Sequence, residues 1–200
     1  MNDMPWHKRL KLNLIDIIDE PSRRRILQGS EKLAEADHAT KAKWVKGAME
    51  KFDELVPDEK TRRAIMKECS CRCQDEFIGE FRNEYNRHKD IDRLIDYLHG
   101  RCFINRPERD GNIIYITKAP AHPEEYSKAM SHAEKQYYFC HCDYVRGARE
   151  RISKTYCYCG AGWCQRIWEG ILERPIRIEI VKSVLWGDDV CKFAVNIQEE

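Results

Sequence analysis

Two Cys-x-Cys pairs, Cys140/Cys142 and Cys157/Cys159, stand with fourteen residues between them in the C-terminal half of the chain. The runs that carry them, QYYFCHC and KTYCYC, read as β-strands. On a strand, residues i and i+2 face the same side, so each pair presents both thiols to one face. Two such strands lying side by side would bring four thiols to one patch. That set suits zinc, which takes tetrahedral sulfur at about 2.3 Å, or another soft metal. Along a strand the two thiols of a pair stand about 6.5–7 Å apart, so one thiol from each strand, completed by a different ligand, serves as well as four together. A reactive or redox thiol site is a second reading, and a run of small buried side chains a third.

Further thiols lie elsewhere. CSCRC places Cys69, Cys71 and Cys73 at the end of a helical pattern. If the chain is extended there, the three share a face and become candidate additional ligands. Cys102 and Cys164 sit in apolar patterns and read as core. His141 would face away from the thiols that flank it on a strand, and His99, His122 and His132 have no partner spacing. Gly160-Ala161-Gly162 follows a cysteine strand and opens a helix. It lacks the Lys-Ser/Thr of a phosphate loop and the third glycine of a dinucleotide turn. A helix N-terminus there would favour a thiolate at Cys159, helped by Arg146 and Arg149 if they fold back.

The rest of the composition narrows the field. Lys+Arg of 35 against Asp+Glu of 34 leaves a net charge of +1 over 200 residues. A general electrostatic nucleic-acid binder carries a large basic excess, so no nucleic-acid partner is expected. Arg23 to Arg25 read as a solvated face. No stretch approaches the roughly 20 apolar residues of a membrane span, and charges interrupt the first twenty residues where a signal peptide would need an apolar run. A cytoplasmic, reducing location follows as the expectation. There, clustered thiols read as metal-binding or catalytic.

The elements that must position these thiols divide near residue 100. Before it the patterns are helical. An apolar stripe runs from Leu10 to Ile18, and Pro21-Ser22 opens a second helix. Trp44, Val45, Ala48, Met49, Phe52 and Leu55 follow helical spacing over about 40–55. Asp58 caps a fourth helix, and Asp90 caps another that carries Ile91, Leu94, Ile95 and Leu98 and is closed by Gly100. Beyond residue 100, RCFIN and NIIYIT flank Asp110-Gly111 as a hairpin, and 124–135 is a helical insertion or a loop. The cysteine strands follow. A helix then carries Trp163, Ile167, Trp168, Ile171 and Leu172, and RPIRIEIVKSVL and VCKFAVNI read as strands. The expectation is an α+β protein: a helical region over 1–100, acting as a dimerisation arm or a pocket wall, then a mainly antiparallel sheet with a packed helix over 101–200.

The stretch CYCGAGWCQRIWEGILERPIRIEIVKSVLWGDDVCKFAVNI resembles the C-terminal motif of the 4-vinyl-reductase-type domain. Cys157 matches that family's first cysteine, and Gly187, Asp188, Cys191 and Phe193 match its final motif. Ser183 stands at the middle cysteine position, eight residues before Cys191, and Glu179 lies one residue from the acidic position. The resemblance implies a small-molecule-binding α+β domain, found in sensors of aromatic compounds, with a structural zinc. The change to Ser183 means that zinc site is lost or rebuilt with Cys140, Cys142 and Cys159. The chain is also similar to an uncharacterised prokaryotic group, some members of which are labelled amino-thiazoline-carboxylate hydrolases.

Three functions are therefore expected candidates. The first is a small-molecule or metal sensor domain that acts through a partner or as a homodimer. Its thiolate site, with zinc as the cofactor, would be drawn from Cys140, Cys142, Cys157, Cys159 and Cys191, and its pocket would be lined by Tyr115, Tyr138, Trp163 and Trp168. The second is a hydrolase of a small amino- or thio-carboxylate, using a cysteine nucleophile or zinc-activated water. The third is a soft-metal or redox thiol protein.

Overall fold

The computed structural model describes residues 4–71, 75–99, 101 and 104–198. Cys73, Cys102 and Gly100 lie outside them. The helical half comprises α1 (Trp6–Asn13), α2 (Glu20–Leu27), α3 (His38–Leu55), α4 (Glu59–Glu68), α5 (Asp75–His88) and α6 (Ile91–Leu98). Strands β1 (Glu108–Asp110) and β2 (Ile113–Thr117) follow, then α7 (Pro123–Lys128), α8 (His132–Phe139) and α9 (Tyr158–Leu172), and last β3 (Arg177–Lys182) and β4 (Lys192–Asn196). The protein is α+β, with a helical N-terminal region, an antiparallel sheet and a helix packed on it. Among the described residues, no helix is long and apolar enough to cross a membrane.

Aspartate starts several of these helices. Asp19, Asp37, Asp58 and Asp90 each accept a backbone N–H two or three residues on, from Ser22 (2.7 Å), Thr40 (2.7 Å), Thr61 (2.8 Å) and Asp92 (2.9 Å). Each bond satisfies one of the orphan donors of a first turn. The sheet has the order β1-β2-β4-β3, with every neighbour antiparallel. Asp110 pairs with Ile113 across a two-residue loop, and Gly111 supplies the positive φ (56°) that such a tight hairpin needs. The register then builds two apolar rows, Ile114–Val195–Ile178 and Ile116–Phe193–Ile180. Cys164, Ile167, Trp168 and Ile171 of α9 recur at i, i+3, i+4 and i+7 and share one core with those rows, with Phe81 of α5 and with Leu94, Ile95 and Leu98 of α6.

A second core gathers Trp6 and Leu10 of α1, the inner face of α3, and Ile65 and Met66 of α4 against Val145, Ile152 and Tyr156. Both cores take residues from each side of residue 100. Two glycines mark where backbones come together. A Cβ on Gly162 of α9 would lie 2.5 Å from Cα of Lys67 in α4, and one on Gly147 would lie 2.5 Å from the backbone of His38.

The segment that leads into the second cysteine pair is tied to α3 through Asp53. Its carboxylate accepts hydrogen bonds from the hydroxyls of Ser153 and Thr155, the latter at 2.6 Å, and pairs with Arg62 at 3.2 Å. Asp53→Ala strands the buried Thr155 hydroxyl and removes the carboxylate paired with Arg62, whose Nη1 keeps its bonds to the Val56 and Pro57 carbonyls. We expect a loss of about 2 kcal/mol, the cost of unsatisfied buried polar groups, read as a lower urea midpoint with an unchanged slope.

Two sequence expectations are corrected by the fold. QYYFCHC is not a strand: Ser131 and Glu134 form a capping box that starts α8, which runs through Phe139 and ends in a loop at Cys140. KTYCYC is not a strand either. Ser153 caps a short 3-10 turn, Lys154–Cys157, which leads directly into α9. Both runs are rich in tyrosine and other residues favoured in strands, a preference that tertiary context readily overrides.

Candidate functional site

The four paired thiols converge without strands. A cavity of about 390 Å³ lies where the two cores meet. Cys140 and Cys142 reach it from the loop after α8, Cys157 and Cys159 from the 3-10 turn and the first turn of α9, Cys191 from the approach to β4, and Cys71 from beyond the end of α4. Apolar side chains including Phe139, Val145, Leu185 and Phe193 make up much of the wall.

The thiols fall toward two ends of the cavity. At one, Cys157 Sγ lies 3.0 Å from Ser183 Oγ, and Ser183, 2 % exposed, also accepts the Leu185 N–H at 3.2 Å. Cys140 feels the charges of Cys191 and Cys157 and, less strongly, of Cys142, so it links this end to the other; Cys140, Cys157 and Cys191 all feel the Lys118 ammonium. At the other end, Cys142 Sγ shares a 2.8 Å hydrogen bond with the buried Tyr156 hydroxyl, and Cys159 is coupled to Cys142, Cys69 and Cys71. Arg9 Nη2 approaches Cys71 Sγ at 3.6 Å.

Burial is the largest influence on the thiols. It pushes Cys157 up to about 12 and raises Cys140 and Cys159 well above the ordinary thiol range, with Cys142 and Cys191 raised in the same direction. The expected thiolate at Cys159 is therefore corrected. Cys159 lies inside the first turn of α9 in a buried setting, and desolvation of its charged form outweighs the helix end. Arg149 is exposed, and Arg146 donates to the Cys140 carbonyl at 3.2 Å.

The remaining candidates divide. Trp163 lines the cavity, with Lys118 Nζ 4.8 Å from its ring centre. Trp168 lies in the core at 2 % exposure, Tyr115 sits on β2 under Lys192, and Tyr138 packs beside Tyr137 and His122. Cys69 is buried beside Asn13 and is not part of the cavity wall. Cys164 is core, as its pattern suggests.

His141, Lys118 and Trp6 are among the wall residues that the sequence reading did not assign to a site. His141 lines the same cavity as its neighbours, because no strand turns it away, and its Nε2–H donates to Ala119 O at 2.8 Å. Lys118 comes from a distant segment, with no local signal, whereas Ser183, which the resemblance singles out, does line the wall. Trp6 lines the wall at 2 % exposure, and its indole N–H has no hydrogen-bond acceptor. The Trp186 N–H also lacks an acceptor of normal geometry, although the side chain stands close enough to Cys157 to favour its thiolate.

Next to Trp6, His7 is hydrogen-bonded to Tyr144 Oη at 2.7 Å, and burial, then Lys8, lowers its basicity. The unfolded chain therefore takes up this proton first as pH falls below about 6.5, and stability drops from there toward the lower folded value. His7→Gln is expected to flatten that acid limb, measured by urea unfolding between pH 7.5 and pH 5.

The fold and cavity together define an α+β protein with a half-open, thiol-lined cavity. Residues 123–200 match the model of a family of unknown function (DUF6144). That segment holds five of the six wall cysteines. No curated protein and no solved structure matches the chain.

Proposed function

We propose that this protein is a binding domain that holds a thiophilic metal centre in its cysteine cavity. One observation carries the reading: six thiols from distant parts of the chain line the same chamber. Chance burial of small side chains has no reason to gather them there. The cavity is also of the size that takes a small ligand, and the resemblance to the 4-vinyl-reductase-type domain points toward the same class. A buried thiol surrendering its proton needs a cation to replace it, so metal binding and thiol ionisation are linked.

The hydrolase reading has less support. A cysteine nucleophile at neutral pH depends on a lowered thiol pKa, and five of the six wall thiols are shifted the other way. The test of the binding reading is elemental analysis for zinc, iron and copper on untagged protein purified without oxygen or chelator. Bound metal at one or more equivalents per chain is expected. Metal-free protein that also takes up none on incubation would refute it.

A further inference from the structure

We infer that the cavity is built for a polynuclear centre, an iron–sulfur cluster, in place of a single zinc ion, with Cys140, Cys142, Cys157 and Cys191 as its ligands. The inference rests on the metal-centre reading and deepens it.

The first argument is spacing. One zinc at about 2.3 Å from each sulfur requires sulfurs within about 3.8 Å of one another, the edge of the tetrahedron. Among the described residues, no three His, Cys, Asp or Glu side chains converge to hold one ion. A cluster has its iron atoms at separate corners and inorganic sulfide between them, so its cysteines stand apart around a common body. The wall thiols have that arrangement: they share a chamber without meeting at a point.

The second argument is volume. A lone ion occupies only the gap between its own ligands, whereas this half-open cavity of about 390 Å³ has room for a body of many atoms.

The third is the polar equipment of the wall. Cluster sulfurs are stabilised by N–H donors and by nearby positive charge in an otherwise apolar setting. The buried Trp6 N–H lacks an acceptor within the protein, and Lys118 and Lys182 line the cavity amid largely apolar side chains. Lys118 acts on Cys140, Cys157 and Cys191 together, so it would offset the charge of that thiolate set. On binding a cluster preassembled with small-thiolate ligands, each protein thiol displaces one of them: its sulfur bonds to iron, the old iron–thiolate bond breaks, and the proton leaves on the displaced small thiol. No net electron transfer is involved.

The experiment is anaerobic reconstitution of the full chain with iron salts, sulfide and excess thiol. After desalting, iron, zinc, acid-labile sulfide and the visible absorption spectrum are measured, with a parallel incubation in zinc alone. The expected result is iron and sulfide in equal amounts, about two or more of each per chain, with the broad visible absorption of a cluster. Cys157→Ser and, separately, Cys191→Ser should lower retained sulfide by roughly tenfold, whereas Cys164→Ala should not; circular dichroism of each variant confirms that it folds. Zinc bound at one equivalent, with no sulfide retained from the reconstitution, would overturn the cluster and leave the metal-centre reading standing. No retention of iron, sulfide or zinc would overturn both.

Discussion

Trp168→Ala is expected to cost about 3–5 kcal/mol, the range for removing a large aromatic from a packed core. The side chain is 2 % exposed and shares its core with α5, α6 and the sheet rows centred on Phe193 and Val195. Alanine removes the group on which α9 rests against the sheet, and the rigid strands on one side and α5 on the other limit how far the gap can close. Urea unfolding should show a midpoint shifted strongly down, and a shift below about 1 kcal/mol would mean that α9 is not held by this core. Because Cys157, one of the proposed ligands, stands at the N-cap of α9, the variant should bind less metal whenever it is partly unfolded, and recover when metal is supplied in excess.

Gly162→Val is the second large effect. Here the problem is too much volume. Any Cβ at 162 would come within 2.5 Å of Lys67 Cα, a backbone atom that cannot rotate away. Helices α4 and α9 must separate to admit it, at roughly 3 kcal/mol, the upper part of the usual overpacking range. Separation draws the end of α4, with Cys69 and Cys71, away from Cys159. Gly162→Ala should cost less than Val but remain destabilising. Since alanine is the better helix former, a stabilised alanine variant would show that the close approach is absent. The measurement is the denaturant midpoint of both variants, with Gly79→Ala, which has open space around it, as the control.

Much of the fold is legible locally. The Asp58 and Asp90 caps, the spacing of apolar residues through α3, the Asp110-Gly111 turn and the alternation in β3 and β4 each encode their element within a few residues. Helix α5 is the element left unread, although Phe77, Phe81 and Tyr85 recur at i, i+4 and i+8 and Phe81 becomes fully buried. The cysteine segments mislead because tyrosine-rich runs have strand preference. What decides them is the capping box at Ser131 and the serine cap at Ser153. The thiols themselves stand out by type and spacing, but their common chamber does not. It depends on bringing residue 71, the loop at 140–142, the start of α9 and residue 191 together, and no local rule relates those positions. Lys118, His141 and Trp6 join the wall for the same reason, through tertiary packing alone.

The central claim is that the wall cysteines act together on one bound centre. The most direct test is cysteine-resolved alkylation of the native protein, followed by mass spectrometry before and after metal removal by chelation. The account predicts that Cys140, Cys142, Cys157 and Cys191 become reactive together, by roughly tenfold or more, while Cys164 in the core does not change. Equal reactivity of those four thiols before and after chelation, in protein shown to be folded, would contradict it.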